Sequence, residues 1–124
     1  MGGGILVVED EVDIRVFLKD YLSLMGYRVT LAANGREALD ILAEWRPDLV
    51  LLDILMPVMS GLGFLRIRQG DPVLRTIPVL VMTASLNLRD VPPTADGIVA
   101  KPFVLDQLLH QVRTLVDSRV REAG

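Results

Sequence analysis

The sequence predicts a single α/β domain whose parallel sheet is covered by helices on both faces. The chain has 124 residues, which fits one compact domain over residues 1–124. Five short apolar runs alternate with segments of helical periodicity, and three of the runs are continuous and rich in Val, Ile and Leu. Such runs are typical of strands buried on both faces of a parallel sheet. The alternation favours right-handed βαβ crossovers and a doubly wound fold.

The five apolar runs are the predicted strands. Each is far too short to span a bilayer, and the segment before the first run has neither a basic stretch nor a signal-peptide core. The chain also contains no cysteine, which excludes disulfides and thiolate metal sites. We therefore expect a cytoplasmic protein without membrane contact. The predicted strands cover residues 5–8, 28–32, 48–53, 78–83 and 97–101.

Three predicted helices show apolar residues at i, i+3, i+4 and i+7, which form one buried face. Gly26 ends the first helix and Pro47 lies just beyond the second. In chain order the apolar positions are Ile14, Phe17, Leu18, Tyr21, Leu22 and Met25; then Ala38, Ile41, Leu42 and Trp45; then Leu105, Leu108, Leu109, Val112, Leu115 and Val116.

The remaining two connections are less helical. A short helix with two glycines is predicted over residues 61–69. The segment between Thr83 and Lys101 contains Pro92 and Pro93, and adjacent prolines inside a helix lose hydrogen bonds and clash with the preceding turn. We predict at most one helical turn there, so the fourth helix of the fold is shortened or missing.

The charge distribution gives no sign of nucleic-acid binding. The formal net charge is −3, with acidic and basic residues mixed along the chain, whereas a nucleic-acid surface requires a basic stripe. The segment 119–122, with two arginines, is interpreted as a helix end or frayed tail. We expect no direct contact with nucleic acid.

Polar and charged residues follow four of the predicted strands. Glu9 and Asp10 come after the first strand, and Asp53, Thr83 and Lys101 end the third, fourth and fifth. Each has an ordinary alternative, since the aspartates can cap a helix or start a turn, the threonine can bond its own loop and the lysine can be solvated. Ligands bind beyond the carboxyl ends of parallel strands, so four such ends together favour a functional site.

The chemistry of this cluster points to phosphoryl transfer. Neighbouring carboxylates repel one another by a few kcal/mol at an effective dielectric near 20, unless a cation intervenes. Mg²⁺ binds one or two carboxylates and shares a phosphate oxygen. Asp53 would then attack phosphorus as a nucleophile. Lys101 and the Thr83 hydroxyl would hold two other phosphoryl oxygens.

The motifs at these strand ends resemble the receiver domain of two-component response regulators, of the chemotaxis-receiver type, over essentially the whole chain. The resemblance implies a flavodoxin-like (βα)5 fold with strand order 2-1-3-4-5. The Asp-x-x-Met-Pro-x-Met-x-Gly segment is the most specific motif. The matching segments are Ile-Leu-Val-Val-Glu-Asp-Glu at 5–11, Leu-Asp-Ile-Leu-Met-Pro-Val-Met-Ser-Gly at 52–61, Ile-Pro-Val-Leu-Val-Met-Thr-Ala at 77–84 and Lys-Pro-Phe at 101–103.

The resemblance also implies residue roles. Asp53 corresponds to the phosphorylation site, Thr83 to the switch hydroxyl and Lys101 to the lysine that pairs with the phosphate. The bond from Lys101 to Pro102 is expected to be cis. The implied Mg²⁺ ligands are Glu9, Asp10, Asp53 and the backbone carbonyl of Leu55.

A receiver of this kind takes its phosphoryl group from a histidine kinase, a histidine phosphotransfer protein or a small donor such as acetyl phosphate. Phosphorylation then changes contacts with a downstream protein, whose identity the sequence does not indicate. Such a domain is not an enzyme, apart from assisting its own phosphorylation and dephosphorylation.

Three departures from the family pattern stand out. Ile98, three residues before Lys101, replaces the usual aromatic ring or histidine, so we expect that part of the switch to be absent or altered. The shortened fourth helix removes part of a face that relatives use for dimerisation or output. Leu55 and Ser85 offer little to orient a water molecule, which predicts slow loss of the phosphoryl group.

Two alternatives remain at this point. A pseudo-receiver would keep the fold and bind its partner constitutively, and Ile98 with the altered fourth helix favours it. A dehalogenase-like phosphatase would need a second aspartate two residues after Asp53, where Leu55 stands, and a cap over the substrate.

Overall fold

The computed structural model describes residues 3–54, 56, 58–84, 91 and 93–123, with side chains up to residue 119. Five parallel strands form one sheet in the order β2-β1-β3-β4-β5. A 3₁₀ turn at Leu74–Thr76 precedes β4. The elements are β1 (Gly4–Val8), α1 (Val12–Leu24), β2 (Arg28–Ala32), α2 (Gly35–Leu42), β3 (Leu49–Asp53), α3 (Gly61–Gln69), β4 (Val79–Thr83), β5 (Gly97–Ala100) and α4 (Leu105–Ala123).

The predicted doubly wound fold is confirmed, because strand alternation divides the core into two layers. Successive side chains of a strand point to opposite faces of the sheet, and both faces are apolar in β1, β3 and β4. The first layer contains Leu6, Val8, Val50, Leu52, Val79 and Val81, with Ala38 and Leu42 of α2 and Phe64 and Leu65 of α3. The second contains Ile5, Val7, Leu49, Leu51, Leu80 and Met82, with Leu18 and Leu22 of α1 and Leu108, Val112 and Val116 of α4.

Each strand lies within one residue of its predicted bounds, while two helical predictions need correction. Phe17 was assigned to the buried face of α1, but it is 45% exposed and stacks on Tyr21, with ring centroids 6.1 Å apart. Its side chain lines a surface pocket with Ile14, Pro102 and Phe103, which leaves the ring partly open to solvent. Trp45 was assigned to the second helix, but α2 ends at Leu42. Its ring packs instead over Gly4, where an added Cβ would lie 2.7 Å from the indole.

The connection from β4 to β5 contains no helix in the part that the structure describes. Val91 is buried in the first core layer, and residues 93–96 form turns and bends. Residues 85–90 and 92, on which part of the prediction of a shortened or missing fourth helix falls, lie outside the described residues. The described part of the chain therefore has four α-helices against five strands, and none of those helices combines the length and apolarity needed to cross a bilayer.

Candidate functional site

Sheet register brings four strand ends to one edge. Val8 pairs with Leu52, so the residues that follow them, Glu9 and Asp53, lie side by side. Asp53 is in turn level with Met82 of β4. The strand order 2-1-3-4-5 that the family resemblance implied is confirmed, and it places β1 and β3 next to each other in the sheet.

The turn from β1 to α1 holds Glu9 in the interior. Glu9 has no exposed surface, and its Oε2 accepts a hydrogen bond of 3.2 Å from the Glu11 amide. The Arg15 guanidinium donates to the backbone carbonyl of Glu9 at 2.9 Å. The N-cap of α1 is Glu11 and no side chain caps the helix, so capping does not account for Asp10. Arg15 was missed by sequence reasoning, because a helical arginine near an N-terminus has no distinctive signal.

Three carboxylates form an acidic cluster at this edge. One oxygen each from Glu9, Asp10 and Asp53 lie within 4.8 Å of one another. Asp53 is 5% exposed. Hard divalent cations prefer such oxygen ligands, and Mg²⁺ binds through one or two carboxylates with several waters. The donor set therefore fits Mg²⁺. The further implied ligand, the backbone carbonyl of Leu55, lies outside the described residues.

Lys101 supplies the positive charge of the site. Its Nζ donates to Glu9 Oε1 at 2.6 Å and lies 3.3 Å from Asp53 Oδ2, while only 14% of its side chain is exposed. Burial by itself lowers the pKa of Lys101, but the hydrogen bond to Glu9 and the charges of Asp53 and Glu9 outweigh it and raise the pKa above its ordinary value. The ammonium is thus a firmly protonated partner shared by two carboxylates, not a solvated amine.

Thr83 reaches the same edge from the other layer of the core. It continues the series of Val79 and Val81, which pack in the first layer, and it is 4% exposed. Its carbonyl accepts a hydrogen bond of 2.9 Å from the Lys101 amide. The backbone thereby ties the ends of β4 and β5 together next to the acidic cluster.

Gly61, the first residue of α3, packs against the backbone at the end of β3. Its amide donates to the Ile54 carbonyl at 2.9 Å, and a Cβ added to it would lie 2.6 Å from the Asp53 carbonyl oxygen. The glycine therefore permits close approach of α3 to the strand that carries Asp53. In the sequence this glycine ends the Asp-x-x-Met-Pro-x-Met-x-Gly motif, but the motif alone does not show why a glycine is needed there. The helix begins at a Ser60 cap, whose hydroxyl accepts from the Gly63 amide at 3.2 Å.

This arrangement matches a known family. Residues 5–113 match the response regulator receiver domain. The chain belongs to this family. The receiver domain is 43% identical to the response regulator MprA of Mycolicibacterium vanbaalenii, an alignment that covers 97% of this chain and 53% of that protein. It therefore spans about half the length of the curated relatives it matches.

Solved receiver structures agree with this assignment. The signal receiver domain of a signal transduction histidine kinase from Syntrophus aciditrophicus has a TM-score of 0.88 and 39% identity, covering 94% of this chain and 92% of that one. The response regulator TrrA from Thermotoga maritima, in complex with Mg²⁺ and BeF, has a TM-score of 0.81 and 38% identity over 93% and 99%. A receiver domain of a Pseudomonas aeruginosa sensor histidine kinase, with magnesium coordinated in its active site cleft, has a TM-score of 0.86 and 28% identity over 94% and 99%.

Other features that the resemblance implied have mixed outcomes. The peptide bond between Lys101 and Pro102 is cis, as implied for this receiver domain. Ile98 is half-buried at the edge of the first core layer, and its carbonyl accepts from Gln111 Nε2 at 2.9 Å. Ser85 lies outside the described residues, as does Leu55, so slow loss of the phosphoryl group stays a prediction.

Proposed function

We propose that this receiver domain accepts a phosphoryl group on Asp53 in a two-component phosphorelay, and that phosphorylation changes its protein contacts. The observation that carries the proposal is the meeting of the Glu9, Asp10 and Asp53 oxygens within 4.8 Å. Lys101 Nζ contacts two of these carboxylates. A nucleophile, a set of hard oxygen ligands and a cation are thus combined in one site.

The proposed cofactor is Mg²⁺, held by Glu9, Asp10, Asp53 and the backbone carbonyl of Leu55. When bound, the ion would offset the negative charge of the incoming phosphoryl group. Two of the similar receiver structures contain magnesium, which supports the same chemistry here.

The proposed reaction is a direct transfer to the Asp53 carboxylate. A carboxylate oxygen forms a bond to phosphorus while the bond from phosphorus to the donor breaks, and the electron pair of that bond leaves with the donor. With acetyl phosphate the products are an acyl phosphate on Asp53 and acetate, so charge and atoms balance without a proton. Lys101 would exchange a carboxylate contact for a phosphoryl oxygen, and Thr83 would donate its hydroxyl to another.

The proposed partners follow from this reaction. The phosphoryl donor would be a histidine kinase or a histidine phosphotransfer protein, and the output would be a downstream protein still to be identified. We propose no direct contact with nucleic acid or membrane by this domain, and a cytoplasmic location. Its chemistry would be limited to making and hydrolysing its own acyl phosphate, without turnover of another substrate.

The proposal is tested by intact mass after incubation with acetyl phosphate and Mg²⁺. We expect the mass to rise by one phosphoryl group, and we expect no rise for Asp53→Asn or when the metal is omitted. Asp40→Asn is the matched control, since 72% of the Asp40 side chain on α2 is exposed and the variant should be phosphorylated like the wild type.

A folded protein that gains no mass would contradict the proposal. If calorimetry then also finds no Mg²⁺ affinity, the domain acts as a pseudo-receiver whose contacts are constitutive. If mass is gained equally by Asp53→Asn, the acceptor is another residue and the assignment of the site is wrong.

A further inference from the structure

A second polar cavity lies at the opposite end of the sheet from Asp53. It occupies about 120 Å³, several times the space that one water molecule requires. It is bordered by Pro78, just before β4, and by Asp96, just before β5. Those positions are the amino ends of the two strands, whereas Thr83 and Lys101 lie at or beyond their carboxyl ends. The two sites are therefore separated by the length of the strands.

Three arginines from separate elements line this cavity. Arg68 comes from α3, Arg75 from the 3₁₀ turn and Arg119 from α4. Among acidic residues whose side chains the structure describes, only Asp96 borders it. Its Oδ2 already accepts from Arg68 Nη2 at 3.1 Å and from the Val79 amide at 2.8 Å. The cavity thus has an excess of positive charge in a chain whose formal net charge is −3.

The buried arginine is a fixed wall of the cavity. Arg68 is 4% exposed, and its donors reach the Ile77 carbonyl at 2.8 Å and the Thr94 carbonyl at 3.1 Å as well as Asp96. A guanidinium held in this way does not rotate to follow a ligand, but its charge persists in the cavity because arginine stays protonated.

The other two arginines are poorly compensated. In the described part of the chain, the Arg75 guanidinium makes no hydrogen bond or ion pair. Arg119 Nη1 reaches only the carbonyl and the hydroxyl of Thr76, each at 3.4 Å, beyond the usual length of an N–H···O bond. The Ser118 hydroxyl also borders the cavity. Two guanidinium groups and a hydroxyl are therefore available to a ligand.

We propose that this cavity binds a small phosphate-class dianion. Planar guanidinium groups match phosphate oxygens in pairs, and charge-assisted hydrogen bonds of this kind are the strong ones. The ligand would bridge Arg75 of the 3₁₀ turn and Arg119 of α4. Two sources share this chemistry: inorganic phosphate and the terminal phosphate of a nucleotide. The proposal is independent of the chemistry at Asp53.

The test is an NMR titration of the ¹⁵N-labelled chain with sodium phosphate, against sodium chloride at equal ionic strength and without Mg²⁺. We expect saturable shifts of the Thr76, Ser118 and Arg119 amides in phosphate only. Because a ligand that binds the native state alone stabilises it, the midpoint of thermal unfolding should also rise with phosphate. Saturable shifts confined to Glu9 and Asp53, at the other end of the strands, would contradict the proposal.

Variants locate the binding. Arg75→Gln and Arg119→Gln remove exposed or half-exposed side chains, so both should fold, and each should weaken phosphate binding about tenfold, the loss expected for a hydrogen bond to a charged group. Arg36→Gln is the matched control, because that arginine lies on α2 with 71% of its side chain exposed and its removal should leave the affinity unchanged.

A parallel titration with ADP separates the sources. If ADP binds more tightly than inorganic phosphate, the ligand is the terminal phosphate of a nucleotide. If ADP binds equally or less tightly, the ligand is free inorganic phosphate. The proposal is wrong if no shift saturates, if sodium chloride reproduces the shifts, or if either cavity variant binds as tightly as Arg36→Gln. Binding of a polyglutamate peptide without binding of phosphate would also overturn it.

Discussion

The two ends of the sheet each bury one cation, and they hold it in different ways. At the carboxyl end, Lys101 contacts the side-chain carboxylates of Glu9 and Asp53 at 2.6 and 3.3 Å. At the amino end, Arg68 donates chiefly to backbone carbonyls and to one carboxylate, that of Asp96. Burial lowers the pKa of Arg68 with Asp96 opposing the shift, whereas the carboxylates prevail over burial at Lys101 and raise its pKa.

The difference separates a cation that is part of the fold from one that can change partners. Backbone carbonyls stay where the strands and turns put them, so Arg68 fastens α3 to the chain before β4 and β5. Carboxylates can bind a metal ion or become phosphorylated, and an ammonium is a point charge with three rotatable donors. The two carboxylates that Lys101 contacts can therefore change their charge, whereas most acceptors of Arg68 are backbone carbonyls whose charge is constant.

The substitution with the largest expected effect on the free energy of unfolding is Arg68→Met, at the amino end of the sheet. Arg68→Met would remove the guanidinium that donates to the Ile77 and Thr94 carbonyls and would leave Asp96 Oδ2 with the Val79 amide as its donor. Because the Asp96 side chain is 39% exposed, most of the cost comes from the two carbonyls, at about 1–3 kcal/mol for each acceptor left without a partner. We therefore expect the free energy of unfolding in urea to fall by roughly 2–6 kcal/mol. Arg66→Met, an exposed arginine of the same helix, should change it by less than about 0.5 kcal/mol. Equal losses would show that the network does not anchor the strands.

We expect Lys101→Met to have an intermediate effect on the free energy of unfolding. Without Mg²⁺ the variant removes the ammonium that the buried Glu9 and Asp53 share, which costs roughly 1–3 kcal/mol. Mg²⁺ should recover more stability in this variant than in the wild type, because the carboxylates no longer share their charge with an ammonium. Urea unfolding with and without the ion measures both quantities. The comparison of the two ends fails if Mg²⁺ rescues Arg68→Met to the same extent.

The smallest effect contrasts two glycines of α3. Gly61→Ala would force a Cβ against the Asp53 carbonyl at 2.6 Å and the Ile54 Cα at 2.7 Å, both backbone atoms, and overpacking of this kind costs about 1–3 kcal/mol. Gly63→Ala meets only side-chain atoms at 3.4 and 3.6 Å and should stabilise the helix by roughly 0.5–1 kcal/mol. Thermal unfolding should show a lower midpoint for Gly61→Ala and a higher one for Gly63→Ala. Phosphoryl uptake should fall only for Gly61→Ala. A neutral Gly61→Ala would mean that α3 moves away from Asp53 without cost.

The strands were the easiest part to predict from sequence. β1, β3 and β4 are apolar on both faces, which is a signal of burial that does not depend on context. Helix faces were less certain because burial is decided by the neighbours. Phe17 has the correct spacing for the buried face of α1, yet it is 45% exposed.

The candidate site likewise contains features that the sequence predicts and features that it does not. The residue types at the strand ends and the motif around Asp53 indicated a phosphoryl-acceptor site before any coordinates. The roles of Arg15, Arg68 and Gly61 could not be predicted, since each depends on an atom that is remote in sequence or belongs to the backbone. The Arg68 network joins α3 to the Asp96 carboxylate, 28 residues away.

By itself the sequence determined the fold class, the strands and the residues that could carry chemistry, because apolar periodicity and short motifs are local properties of the chain. The strand order came only through the family resemblance, and tertiary structure alone decided the contacts and distances between those residues. Sheet order places β1 beside β3 and so creates the acidic cluster, and the packing of α3, the 3₁₀ turn and α4 creates the arginine cavity. Both depend on contacts between distant segments, whose geometry is set by register and packing rather than by any one segment.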